Sequence, residues 1–197
     1  MNSTSTGTRR TAAAVLGLVL AASTAAAAQG PAAAASATAS YCGITWGSLA
    51  KSDPDSRIGD GTVTNVRSGR HDCFDRVVID VAGVPASKVG YAVSYVDVVR
   101  SPGSGQAVSL LGGARLQVDV TVPAHDSRGR ATFAPRDRSR VVDVTGYRTL
   151  RQVALAGSFE GRTALGVGVR ARLPYRVFLL DGPGSGSRVV IDVAHRW

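Results

Sequence analysis

The feature that most constrains the fold is a seven-residue segment, RVVIDVA, that occurs twice without change, at residues 76–82 and 188–194. In each copy valine and isoleucine alternate with polar residues, which is typical of a β-strand with one buried face. An alternating run precedes each copy, at residues 62–67 and 175–180, and a glycine-initiated loop lies between the run and the repeat. The repeat therefore predicts a β-hairpin that is used twice, in a domain with two similar halves.

The rest of the chain after residue 60 has the same two-residue periodicity. Further strand-like runs cover residues 91–98, 114–122, 140–144, 150–157 and 163–173. Glycine and proline separate these runs, and no segment has the 3.6-residue apolar stripe of a helix. The pattern predicts an all-β protein, a β-sandwich of about nine short strands with two pseudo-symmetric halves.

The first 39 residues have the pattern of a secretory signal peptide with an alanine-rich leader. Arg9 and Arg10 precede an apolar stretch, and small residues with candidate cleavage points follow it. We therefore assign residues 1–39 to export, residues 40–61 to an N-terminal segment and residues 62–197 to the sandwich. Tyr41 stands before Cys42, where a lipid-anchor cysteine would need a small residue, so we expect no stable membrane anchor.

The charge and the cysteines fit an exported protein. The chain has 23 Lys and Arg against 14 Asp and Glu, a formal net charge of +9. A field of this sign favours anionic partners, although nucleic acid conflicts with export. Cys42 and Cys73 are the only cysteines. We expect them to form a disulfide that joins the N-terminal segment to the tip of the first hairpin.

The charged residues of the repeat allow two arrangements. If the two copies pair antiparallel, centred on Val78 and Val190, then Arg76 faces Asp192 and Asp80 faces Arg188, and these pairs stabilise the sheet. If the copies lie in separate sheets, each one presents an arginine and an aspartate on an outer face. The second arrangement would create two equivalent polar recognition surfaces.

The connection at residues 123–139 is long and rich in arginine. Loops of this length inside a compact domain are usually functional or disordered. One interpretation is a solvated loop whose arginines maintain solubility. The other is a loop that faces an anion, with Phe133 as an apolar contact.

The sequence lacks a recognisable catalytic constellation. It contains no G-x-S-x-G, H-E-x-x-H or glycine-rich nucleotide motif, and Glu160 is the only glutamate. His71 lies beside Asp72 and Asp75, but acidic residues are common in turns, where they bond to nearby backbone. We therefore predict that the protein is not an enzyme and uses no metal or other cofactor.

Several blocks resemble the AMIN-like domains of secreted and lipid-anchored actinobacterial proteins, which are related to the AMIN domain of cell-wall amidases and secretins. The resemblance covers the mature chain and is carried by both repeats, by residues 46–48 and 69–76, by residues 146–148 and 156–161, and by residues 180–184 and 195–197. It implies a β-sandwich of two similar sheets and a role in targeting or peptidoglycan binding within the cell envelope.

These observations predict a secreted, extracellular or cell-wall-associated module that binds peptidoglycan or an associated anionic wall polymer. The alternative is a protein–protein module that recruits or positions an envelope enzyme. The predicted binding residues are Arg76, Asp80, Arg188 and Asp192, followed by Trp46, Tyr147 and Arg148. Arginine suits carboxylates and phosphates because its planar fork donates two parallel hydrogen bonds.

Overall fold

The computed structural model of the protein describes residues 40–53 and 61–197. The predicted signal peptide and leader lie outside the described residues. The fold is all-β, as predicted, and the described residues include only two single-turn 3₁₀ segments, Tyr41–Gly43 and Ala86–Lys88. The strands in chain order are β1 (Lys51–Ser52), β2 (Thr62–Arg70), β3 (Phe74–Ala82), β4 (Tyr91–Tyr95), β5 (Val99–Arg100), β6 (Ala107–Val108), β7 (Ala114–Val120), β8 (Leu150–Phe159), β9 (Arg162–Val169), β10 (Tyr175–Asp181) and β11 (Ser187–Ala194).

The strands form two main antiparallel sheets and a small third one. The five-stranded sheet has the order β1-β4-β7-β9-β8, the four-stranded sheet has the order β10-β11-β3-β2, and β5 pairs with β6. Several expected runs need correction. Residues 140–144 form no strand, β4 ends at Tyr95 instead of residue 98, β7 ends at Val120 instead of residue 122, and β9 ends at Val169 instead of Leu173.

The main core lies between the two large sheets and consists mostly of valine, leucine and isoleucine. In β3 the side chains of Val77, Ile79 and Val81 are buried on the inner face, while Arg76 and Asp80 remain partly exposed. Burial of this inner face of β3 explains the alternation that the repeat shows in sequence. The sandwich prediction is thereby confirmed.

The two copies of the repeat are neighbours in the same sheet. β3 and β11 pair antiparallel, with Val78 opposite Val190, Arg76 opposite Asp192 and Asp80 opposite Arg188. The antiparallel arrangement considered from the sequence is therefore confirmed. The alternative with one copy in each sheet is wrong, so the repeats do not create two separate recognition surfaces.

A disulfide fixes the N-terminal segment to the first hairpin, as predicted. Cys42 and Cys73 are bonded, and Cys73 lies in the short connection between β2 and β3. Further along this segment, Gly47 O accepts a hydrogen bond of 2.9 Å from Tyr175 N at the start of β10. These two contacts place Trp46 against the four-stranded sheet.

The arginine-rich connection between β7 and β8 is organised by its own contacts. Asp126 accepts hydrogen bonds of 2.9 Å from Arg128 N and Arg130 N, and its carboxylate pairs with the Arg130 guanidinium at 2.7 Å. Phe133 packs against the main core. Its apolar contact is therefore with the main core.

Candidate functional site

The outer face of the four-stranded sheet carries most of the predicted site residues. Alternation along the strands places Phe74, Arg76 and Asp80 of β3 on this face, next to Arg188 and Asp192 of β11. The neighbouring strand β10 adds Arg176 opposite Asp192 and Phe178 opposite Val190. The face therefore combines arginine, aspartate and aromatic side chains on one rigid sheet.

Asp192 is the centre of the charged arrangement on this face. Its side chain is fully buried, and its two oxygens accept hydrogen bonds of 2.6 and 2.9 Å from Nε and Nη2 of Arg76. Arg176 donates a third bond from Nε at 2.8 Å. Because two guanidinium groups share one carboxylate, this arrangement keeps a net positive charge. The hydrogen bonds that Arg76 donates to Asp192 raise the pKa of Arg76 above its usual value.

Aromatic rings surround these two guanidinium groups. Arg176 lies 4.5 Å from the ring centroid of Trp46 and 5.1 Å from that of Phe178, while Arg76 lies 5.3 Å from that of Phe74. Cation–π contacts at these distances are attractive and hold the rings beside the charges. We call the set Trp46, Phe74, Arg76, Arg176, Phe178 and Asp192 the aromatic–arginine cluster.

The aromatic–arginine cluster has free donor groups. Within the part of the chain that the structure describes, the terminal nitrogens of Arg176 and Nη1 of Arg76 donate no hydrogen bond. The side chain of Arg176 is 41% exposed. These N–H groups are therefore available to an anionic or hydroxyl-rich ligand placed over the sheet.

The other half of the repeat is arranged differently. Asp80 accepts two hydrogen bonds, of 2.7 and 2.8 Å, from Arg67 of β2. Arg188 lies opposite Asp80 in register but donates to the backbone oxygen of Asp181 at 2.8 Å. Four residues along a strand separate this pair from Asp192, about 13 Å at the usual rise. The sheet thus has one aromatic and one non-aromatic charged region.

Tyr147 and Arg148 do not join the aromatic–arginine cluster. The Tyr147 hydroxyl is 2.9 Å from Ser68 Oγ, and Arg148 donates weakly to the backbone oxygen of Asp72 at 3.5 Å. Of the predicted binding residues, the structure brings together Trp46, Arg76 and Asp192. Asp80 and Arg188 lie at the far end of the same face.

His71, in the connection between β2 and β3, packs against a ring of the aromatic–arginine cluster. His71 stacks on Phe74 with ring centroids 4.5 Å apart. Asp75 is directed to the other side of the strand, where it contacts His195 at 3.1 Å. Within residues 40–53 and 61–197, no group of three or more His, Cys, Asp or Glu side chains is placed to hold a metal ion.

Comparison with known families agrees with this architecture. The sequence model of the AMIN-like domain matches residues 61–195, which is more than half of the 197-residue chain. The chain belongs to the AMIN-like domain family. Membership indicates a cell-wall-related module, and domains of this family are generally non-catalytic binding modules. No curated protein and no solved structure matches the chain significantly.

The internal disulfide of this AMIN-like domain fits an extracellular location. Separately, the described residues include no helix with the length and apolar character needed to cross a membrane.

Three members of the aromatic–arginine cluster were missed in the sequence, namely Phe74, Arg176 and Phe178. The alternation of Arg176 and Phe178 with Tyr175 and Val177 was visible as a strand pattern. What the pattern does not show is that β10 pairs with the second repeat, which brings Arg176 opposite Asp192. The strand beside the repeat therefore contributes to the site as much as the repeat does.

Proposed function

We propose that this protein is a non-catalytic module of the cell envelope that binds peptidoglycan or an associated anionic wall polymer through the aromatic–arginine cluster. The observation that carries the proposal is the shared carboxylate of Asp192. This buried group holds Arg76 and Arg176 in place with three hydrogen bonds, while both guanidinium groups keep free N–H donors. A preorganised donor set loses little conformational entropy when a ligand binds.

The chemistry of the cluster suits a charged glycan. Guanidinium groups donate paired hydrogen bonds to carboxylates and phosphates. The rings of Trp46 and Phe178 offer apolar faces on which the C–H face of a sugar can stack. Both kinds of group occur together only at the Asp192 end of the sheet, so we place the glycan there.

The overall charge supports the same class of partner. The formal net charge of the chain is +9, and it stays positive without Arg9 and Arg10 of the predicted signal peptide, which contribute +2 of it. This charge attracts anionic polymers over a distance of about one Debye length, roughly 8–10 Å in physiological salt. Attraction of this kind brings the polymer to the surface, and the aromatic–arginine cluster selects the sugar.

The test is co-sedimentation of the protein with purified cell-wall sacculi, with and without their anionic polymers, over a series of salt concentrations. Binding that survives polymer removal and moderate salt would identify peptidoglycan as the ligand. Binding that disappears with the polymers would identify the anionic polymer. Absence of binding in all conditions would refute the proposal and favour the alternative of a protein partner.

Two substitutions test the site. We expect Trp46→Ala and Arg176→Ala each to weaken sacculus binding by about tenfold, or about 1.4 kcal/mol, because each removes one contact of the cluster. Asp192 keeps both hydrogen bonds from Arg76 in the second variant. The matched control is Arg128→Ala, which removes the same charge from an exposed side chain outside the cluster. Equal loss in Arg176→Ala and Arg128→Ala would show that only net charge matters.

A further inference from the structure

A second candidate site lies at the edge of the five-stranded sheet, away from the aromatic–arginine cluster. Residues 138–141 run along β8, with hydrogen bonds from Leu155 N to Arg138 O at 2.7 Å and from Val141 N to Val153 O at 2.9 Å. Beyond this point, a pocket of about 620 Å³ opens between residues 140–147 and the start of β8. A volume of this size is in the range of sites for small ligands.

The wall of the pocket is partly aliphatic. Leu150 is buried, and Val142 and Val144 are partly buried against the main core. Leu111 also lines the pocket and is 55% exposed. The pocket therefore offers apolar surface to a small ligand, and part of that surface is in contact with water.

A β-bulge directs Arg151 to this pocket. The pairing of β8 with β9 passes from Leu150 to Gln152 and skips the residue between them. The Arg151 guanidinium donates from Nη1 to the backbone oxygens of Leu150 at 2.9 Å and Tyr147 at 3.1 Å, and from Nη2 to that of Arg148 at 3.3 Å. A bulge commonly re-aims a side chain at a functional site. Here it places a guanidinium that neutral carbonyls hold in position and no carboxylate neutralises within the described chain.

The remaining polar groups leave the pocket positive. Arg140 is exposed, and its guanidinium donates no hydrogen bond within the described residues, although its charge interacts with that of Asp137 outside the lining. Asp143 is the one carboxylate in the lining, and it accepts a hydrogen bond of 2.9 Å from Thr145 N. The buried Gln152 amide accepts a hydrogen bond from Leu111 N and donates one to Ser139 O. Two arginines against one carboxylate favour an anionic ligand.

We propose that this pocket binds a carboxylate that carries a short aliphatic group, with Arg140 and Arg151 contacting the carboxylate and Leu111, Val142 and Val144 contacting the aliphatic part. Such a group occurs at the C-terminus of a peptide and in short branched fatty acids. The site is independent of the aromatic–arginine cluster and of the function proposed for it.

The test is an NMR titration of the protein, in which backbone amide shifts are followed for three probes. The probes are N-acetyl-leucine, its C-terminal amide, and 4-methylpentanoate, which keeps the carboxylate and the branched chain but lacks the peptide group. We expect N-acetyl-leucine to bind at least tenfold more tightly than its amide and to shift amides of residues 111, 145 and 152. Tighter binding of N-acetyl-leucine than of 4-methylpentanoate would support a peptide terminus, and equal binding would support the shared carboxylate chemistry.

Variants of Arg140 separate this site from general charge effects. We expect Arg140→Ala to weaken N-acetyl-leucine binding about tenfold and Arg140→Glu to abolish it. The domain should still fold, because the Arg140 side chain is exposed and an exposed charge contact such as that with Asp137 contributes at most about 1 kcal/mol. Arg128→Ala is the matched control and should bind normally. Equal binding of acid and amide, or normal binding by Arg140→Glu, would overturn the proposal.

Discussion

Replacement of Asp75 should destabilise the domain more than any exposed charge change, because this carboxylate connects the two sheets. Asp75 is buried at the start of β3, and its Oδ2 accepts hydrogen bonds from Thr149 N at 2.5 Å and Leu150 N at 3.0 Å. Its Oδ1 is 3.1 Å from Nε2 of His195, whose Nδ1 is 3.1 Å from the backbone oxygen of Asp72. Both ring nitrogens face oxygens, so both can donate only in the imidazolium form.

The magnitude follows from the donors left behind. Asp75→Ala leaves two backbone N–H groups and the His195 ring without their acceptor, and each buried donor without a partner costs about 1–3 kcal/mol. Water entering the gap reduces the sum, so we expect a loss of about 3–5 kcal/mol, which is typical of a broken buried pair. Asp75→Asn can keep both backbone bonds and can donate to Nε2 of a neutral His195. We therefore expect Asp75→Asn to cost only about 1 kcal/mol.

The assay is equilibrium unfolding in urea under oxidising conditions at one pH, with the free energy of unfolding compared between variants. Asp97→Ala is the control, since Asp97 is exposed and should change stability by less than about 0.5 kcal/mol. A loss below 1 kcal/mol for Asp75→Ala would refute the reasoning. Equal losses for the alanine and asparagine variants would show that the hydrogen bonds are not the cause.

Two further predictions concern the disulfide and a buried tyrosine. Replacement of Cys42 and Cys73 by serine should lower the free energy of unfolding, measured by urea unfolding, by about 3–4 kcal/mol, because the disulfide joins residues separated by 31 positions. Unchanged stability would contradict the prediction. Burial raises the pKa of Tyr175 from 10.0 to about 12, so between these pH values the unfolded chain binds fewer protons and stability falls as pH rises. Tyr175→Phe loses the hydrogen bond to Val93 O, so we expect it to be less stable than the wild type at pH 8. The difference in the free energy of unfolding between the two proteins should shrink as the pH approaches 12. A difference that does not change with pH would contradict the prediction.

The register that the two copies take once they pair was predictable from local properties, although the sequence left open whether they pair. Alternation with a period of two identifies the buried face of each copy. Antiparallel pairing of two copies centred on Val78 and Val190 then brings Arg76 opposite Asp192 and Asp80 opposite Arg188, and this is the register observed. The disulfide was predictable for a similarly simple reason, because an exported chain with only two cysteines has one pairing.

Which of these charged side chains form ion pairs was not predictable in the same way. Both arginines of the repeat lie opposite an aspartate, yet only Arg76 pairs with the aspartate it faces. The difference arises because Arg67, on the adjacent strand β2, occupies Asp80. The partner of a surface charge depends on side chains from neighbouring strands, which are distant in sequence.

The structure of the segment at residues 140–144 also depends on contacts that its sequence does not show. Its alternating sequence resembles that of a strand, but within this segment only Val141 N donates a hydrogen bond to the edge of β8. The chain then borders the pocket that Arg140 and Arg151 line. Strand propensity depends strongly on context, because it reflects side-chain contacts across a sheet. No sequence pattern shows whether such a partner is available.

By itself, the sequence determined the all-β class, the two hairpins and the disulfide, because each depends on local periodicity or on a single possible pairing. The tertiary structure decided that the two copies of the repeat pair in one sheet. Only the tertiary structure decided that Trp46 and Arg176 meet beside Asp192, that Arg188 turns to a backbone oxygen, and that Arg151 enters a pocket. These features require contacts between segments far apart in the chain. Such contacts exist only once the sheets have formed and the N-terminal segment has been fixed against them.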